Sequence, residues 1–102
     1  MQITLIIPVF NEQDVIPIFY KAIKKDNYLS TENLELIFIN DGSTDETEQI
    51  LELLGLADQS IKILNFTRNF GKEAALMAGL EYSSGDIIIP RSEEHGNGQL
   101  FG

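Results

Sequence analysis

The chain has no cysteine, no tryptophan and a single histidine, His95, among its 102 residues. Without cysteine there is no disulfide, no thiolate nucleophile and no Cys-ligated zinc. One histidine excludes a His pair and a His-rich metal centre. Basic residues are scarce: seven Lys and Arg stand against sixteen Asp and Glu, a net charge of -9. Such a chain lacks the Lys/Arg patch that a nucleic acid or an anionic membrane surface requires. No apolar run approaches the ~18 residues that would span a bilayer. The first ten residues, MQITLIIPVF, carry no basic region and no small-residue cleavage site. They read as a buried strand rather than a signal peptide, and the cytoplasm is the expected compartment. What is present is ordinary for one soluble domain or part of a larger one: 43% hydrophobic and 23% charged residues, enough for a usable but marginal core.

Four short apolar runs alternate with three segments of helical period. Ile3 to Val9, Leu34 to Ile39, Ile61 to Phe66 and Asp86 to Pro90 read as strands. Their continuous rather than alternating hydrophobicity predicts cover on both faces. Val15, Ile18, Phe19, Ala22 and Ile23 form one helical stripe, with Asp14 as the expected N-cap and Pro17 in the first turn. Thr47, Ile50, Leu51 and Leu54 form a second stripe, opened by the capping-box spacing Ser43-x-x-Glu46 and stopped at Gly55. Lys72 to Tyr82 is apolar nearly all round and is expected to be deeply packed. The order β-α-β-α-β-α-β predicts an α/β fold, a parallel, doubly wound, Rossmann-like sheet with helices on its faces. Ligands of such sheets sit beyond the carboxyl ends of the strands, near the switch in strand order. The segment 91–102, RSEEHGNGQLFG, has neither period and reads as a disordered or non-native tail. The domain is expected to span 1–90 and to be cut there.

Four motifs fall at strand ends. In Pro8-Val9-Phe10-Asn11-Glu12, an amide and an acid precede a helix. Asn11 could meet a planar base or ribose, or simply form the turn. In Asn40-Asp41-Gly42-Ser43-Thr44-Asp45, the carboxylate of Asp41 stands where an acid can accept from a base or ribose. The plainer reading is an Asp-Gly turn followed by helix-capping residues. In Thr67-Arg68-Asn69-Phe70-Gly71-Lys72, two of the seven basic residues flank a glycine before a helix. That suits an anion such as a diphosphate, although the spacing is not that of a Walker loop. A solvated charged loop is the alternative. Asp86, after Gly85, could cap a turn, face solvent or pair with Arg68. Glu93, Glu94 and His95 offer metal-ligand atoms, but in a chain with sixteen acids chance explains them as readily.

Taken in order, these motifs and the run RNFGKEAALMAGL from Arg68 to Leu80 resemble the inverting nucleotide-sugar glycosyltransferases of the GT-A fold. The closest resemblance is to the polyprenyl-phosphate branch of bactoprenol glucosyl and dolichyl-phosphate mannosyl transferases. It covers residues 1–90 and implies the amino-terminal half of a GT-A domain, with a UDP- or GDP-sugar as donor. By matched position, Pro8, Asn11 and Glu12 lie against the nucleoside and Asp41 binds the base. Arg68 and Lys72 lie near the nucleotide, and Asp86 opens the strand leading to the metal site. The family holds Mg²⁺ or Mn²⁺ with an Asp-x-Asp motif. Here the aligned residues are Ser92-Glu93-Glu94, and a hydroxyl cannot neutralise a cation as a carboxylate does. The catalytic base, acceptor site and membrane helices of relatives lie beyond residue 90. The resemblance therefore implies a nucleotide-binding part, inactive alone. An interaction fragment that self-associates through Ile87–Ile89, or a truncated gene product, is the other reading. A receiver domain fits less well: Asn11-Glu12 replaces its acidic pair, and no Asp ends the third strand.

Overall fold

The computed structural model describes residues 2–26 and 33–91. Four parallel strands, β1 (Gln2–Val9), β2 (Asn33–Asn40), β3 (Ile61–Asn65) and β4 (Ile87–Pro90), form one sheet in the order β3-β2-β1-β4. Helices α1 (Ile16–Lys25), α2 (Thr47–Ala57) and α3 (Lys72–Tyr82) connect them. The chain steps outward from β1 to β2 to β3, then returns across the sheet to place β4 on the other side of β1. The direction of winding therefore reverses between β1 and β4, the position at which such sheets open a ligand crevice. Strand order, parallel pairing and helix placement agree with the doubly wound α/β expectation.

The two faces have separate cores. Ile3, Leu5, Ile7 and Val9 of β1, with Leu34, Leu36 and Phe38 of β2, pack against Ile16 and Ile23 of α1 and Leu51 of α2. On the opposite face Ile6, Ile37 and Ile39 pack against Ala75 of α3. Successive strand residues point to opposite faces, so a strand covered on both sides must be apolar throughout. That holds for β1 and β2, but among the described residues β4 has a neighbour on one side only, and its Ile87 and Ile88 stay partly exposed.

Three local expectations are corrected. Helix α1 begins at Ile16 and its cap position is Val15, not Asp14. The turn is instead closed by the Glu12 carbonyl, which accepts from the N–H groups of Val15 and Ile16. Its buried stripe runs through Ile16 and Ile23, while Ile18 is 69% exposed. The Ser43/Glu46 pair does not cap α2. Asp45 Oδ1 accepts from the N–H and hydroxyl of Thr47, and the helix passes Gly55 to end at Ala57. Gly55 serves close packing: a Cβ there would sit 3.1 Å from Ile63 Cδ1. Helix α3 has the expected bounds, yet it buries only Ala75 and Gly79 and leaves Met77, Leu80 and Tyr82 exposed. Small residues on its inner side let it lie against Ile6 and Ile39.

Candidate nucleotide site at the carboxyl end of the sheet

The loop after β1 and the loop after β2 are stitched together by polar side chains. Asn11 has φ of 52°, an unusual value for a residue other than glycine. In that conformation its N–H donates to Ser43 Oγ at 2.9 Å, and its Oδ1 accepts from Thr44 N–H at 2.7 Å and Asp45 N–H at 3.2 Å. Glu12 N–H donates to Thr47 Oγ1 at 3.0 Å, and Gln13 Oε1 accepts from Glu46 N–H at 2.9 Å. The Ser43 hydroxyl thus accepts from the β1 loop, and the start of α2 at Thr47 is bonded by Asp45. Burial raises the Asp45 carboxyl, but hydrogen bonds from Thr47 and Gln13 outweigh it and hold the group below its usual range.

The loop after β3 rests on the end of β2. Phe66 N–H donates to the Asn40 carbonyl at 2.9 Å, and Asn40 Nδ2 donates to Asn65 Oδ1 at 2.9 Å. Asp41, 4% exposed, directs its carboxylate at the far side of the same loop. Oδ1 accepts from Phe70 N–H at 2.8 Å and Oδ2 from Gly71 N–H at 3.1 Å. Gly42, with φ of 74°, lies against that loop so closely that a Cβ would come within 2.2 Å of the Arg68 carbonyl carbon. Only glycine meets both requirements. The loop carries Arg68, whose guanidinium stacks 4.6 Å above the Phe70 ring, and leads into Lys72 as the first residue of α3. Phe66 and Phe70 meet edge to face at 5.6 Å.

The structure thus brings together Asn11, Glu12, Asp41, Arg68 and Lys72 at the carboxyl ends of β1, β2 and β3, with Pro8 buried just below them in β1. Asp86 is not among them. It precedes β4 at the amino end of a parallel sheet, where its N–H donates to the Gln2 carbonyl and its Oδ2 accepts from Gln2 N–H at 3.0 Å. Its assignment to the nucleotide is corrected to an anchor for the start of β4, and its pairing with Arg68 does not occur. Among the described residues no group of three or more His, Cys, Asp or Glu is arranged to hold a metal ion. Ser92, Glu93, Glu94 and His95 lie outside the described residues. Two features escaped the reading of the sequence. Phe10 and Phe70 are 44% and 50% exposed in the loops of the site, and their position beside Asn and Gly rather than inside an apolar run is the signal for them. The second is Glu35, buried in β2 at the opposite end of the sheet. It sits inside an apolar run and has no motif around it.

A parallel sheet whose winding reverses between β1 and β4 is a doubly wound, Rossmann-like α/β fold, with its crevice at the carboxyl ends of the strands. The structure superposes on a Pyrobaculum calidifontis mannosyltransferase in complex with GDP-Man and Mn²⁺, with TM-score 0.74, 25% identity, and coverage of 84% of this chain and 25% of that one. It also superposes on Staphylococcus aureus TarS in complex with UDP, with TM-score 0.77, 24% identity, and coverage of 90% and 27%. Residues 4–90 match the model of glycosyl transferase family 2, and the chain belongs to that family. Among curated relatives, a prophage bactoprenol glucosyl transferase homolog of Escherichia coli is 52% identical over 90 residues, 88% of this chain. The bactoprenol glucosyl transferase of Shigella phage SfV is 51% identical over the same length. The chain spans 29% of the length of each of these two relatives. No helix among the described residues is long and apolar enough to cross a membrane.

Proposed function

We propose that residues 1–90 bind the UDP- or GDP-sugar donor of a glycosyltransferase that passes a hexosyl group to a polyprenyl phosphate at the cytoplasmic face of a membrane. The observation that carries this reading is the buried carboxylate of Asp41 at the carboxyl end of β2, which holds the β3–α3 loop through the N–H groups of Phe70 and Gly71, beside the β1 loop that Asn11 ties to Thr44 and Asp45. Asp41 accepts from the base. Asn11 and Glu12, beyond Pro8, flank the nucleoside, and Arg68 and Lys72 face the diphosphate. The acceptor oxygen attacks the anomeric carbon in line and inverts it as the nucleoside diphosphate departs. Cations beside the departing diphosphate stabilise its growing charge. Intact relatives are expected to use Mg²⁺ or Mn²⁺; among the described residues no group of three or more carboxylates or histidines is arranged to hold such an ion. No residue of this chain is assigned as catalytic base, and the 102-residue chain is expected to bind donor without transferring sugar.

Titration of the chain with UDP and GDP, with and without Mn²⁺, tests the reading by calorimetry. Saturable binding in the absence of metal, weakened about tenfold or more in Asp41→Ala, is the expected result. A folded chain that binds neither nucleotide overturns it.

A second reading is favoured by β4, an edge strand whose Ile87 and Ile88 are 39% and 37% exposed. Exposed apolar edges pair with other edges, and two copies of the chain would associate there.

A further inference from the structure

In the free chain the acid of the proposed site is already engaged. Both oxygens of Asp41 accept backbone N–H groups of the β3–α3 loop, from Phe70 and from Gly71. That loop is held differently at its two ends. Its first part is tied by Phe66 to the Asn40 carbonyl and packed at Arg68 and Asn69 against Gly42. Its last part is tied by the Asp41 carboxylate. It ends at Gly71, with φ of 103° and no heavy atom within 4 Å of where a Cβ would stand. Glycine in open space is a backbone pivot. A carboxylate has about four acceptor positions, of which the loop fills two; with Asp41 only 4% exposed, space rather than acceptor capacity limits a new donor while both loop N–H groups stay in place.

We propose that Asp41 is a shared acceptor. A nucleobase ring N–H next to a carbonyl takes the carboxylate from Phe70 and Gly71, and the last part of the loop swings about Gly71. Asp41 is then a positioning residue as well as a ligand: nucleotide occupancy is coupled to the placement of Phe70, the stacked Arg68 and the start of α3. This rests on the nucleotide reading above. The exchange replaces two charge-assisted N–H bonds from the loop with one from the base ring, so the buried acid keeps a donor in both states.

The test is amide hydrogen exchange by NMR on the full chain, free and saturated with UDP or GDP. Protection at Phe70 and Gly71 should fall about tenfold or more on binding, while Ile37 in the core is unchanged. Nucleotide binding with unchanged or increased protection overturns the exchange and leaves the nucleotide reading standing. Absence of binding removes both. A second measurement needs no nucleotide: in free Asp41→Asn, Phe70 and Gly71 should exchange about tenfold faster while Ile37 keeps its protection. Unchanged protection there would show that the carboxylate does not hold the loop, and would overturn the proposal.

Discussion

Each end of the sheet holds a buried carboxylate, and the two are satisfied in different ways. At the amino end, Glu35 Oε1 accepts from the Thr4 hydroxyl at 2.6 Å and from Ser84 N–H at 3.0 Å. Its Oε2 accepts from the Ser84 hydroxyl at 3.0 Å and pairs with the Lys62 ammonium at 2.5 Å. At the carboxyl end, Asp41 is held by two backbone N–H groups of a single loop. Glu35 therefore has a counter-ion and partners in three separate elements of the fold. Nothing in that cluster is left over for a ligand, and it locks strand to strand. Asp41 depends on a loop that also presents a cation and an aromatic ring outward. A buried acid is thus structural or functional according to who its donors are, and burial alone does not separate the two cases.

The sharpest way to break this comparison is Glu35→Ala. It strips the acceptor from Thr4, Ser84 and Lys62, and unfolding in urea should show a loss of about 3 kcal/mol, with UDP affinity within about twofold of the parent. An equal fall in affinity would mean the two ends are not independent. The same residue gives a pH signature. Burial raises the Glu35 carboxyl, but the Lys62 pair and the bonds from Thr4 and Ser84 outweigh it and bring the group from 4.5 to about 2. A carboxyl lowered on folding stabilises the protein above its unfolded value, and the stabilisation is lost as pH falls from about 4.5 to about 2. Acid unfolding of Glu35→Gln should therefore be shallower than that of the parent across this window.

Gly42→Ala probes the other end with a stability effect of similar size. Its Cβ would meet the backbone of Arg68 and Asn69 at a positive φ, costing about 2–4 kcal/mol, and it should weaken UDP binding more than Glu35→Ala does. Calorimetry on both variants ranks them. The smallest expected effect is Ile88→Lys. On a partly exposed edge it should alter stability by about 0.5 kcal/mol or less, yet sedimentation at micromolar concentrations should show the parent associating and the variant monomeric. A monomeric parent would remove the edge-pairing reading.

The gathering of the candidate residues at one end of the sheet was legible because they follow strand ends. Asp41, Arg68 and Lys72 lie in loops or helix starts that follow apolar runs, and strand-to-helix loops in a parallel sheet converge by topology. Asp86 was misplaced for the same reason in reverse. It lies next to an apolar run, but before it, and a parallel sheet sends strand starts to the opposite end. From the sequence Asn11 is either a contact for a base or ribose or a turn former. In the structure its Oδ1 accepts from Thr44 and Asp45, bonds over more than thirty positions of chain that spacing along the sequence does not reveal.

The sequence by itself determined the alternation of strands and helices, because periodicity and continuous apolar runs are local properties of neighbouring residues. It also determined that the sheet is parallel, because each strand is followed by a helix that must cross back over it. Only the tertiary structure decided which polar groups are engaged. Glu35 and Lys62, Tyr20 and Asp58 (2.5 Å apart), and Asp41 and Phe70 are partners separated by 27, 38 and 29 positions. Hydrogen bonds and ion pairs act over about 3 Å, so their partners are set by where the packed elements bring side chains, not by where the residues fall along the chain.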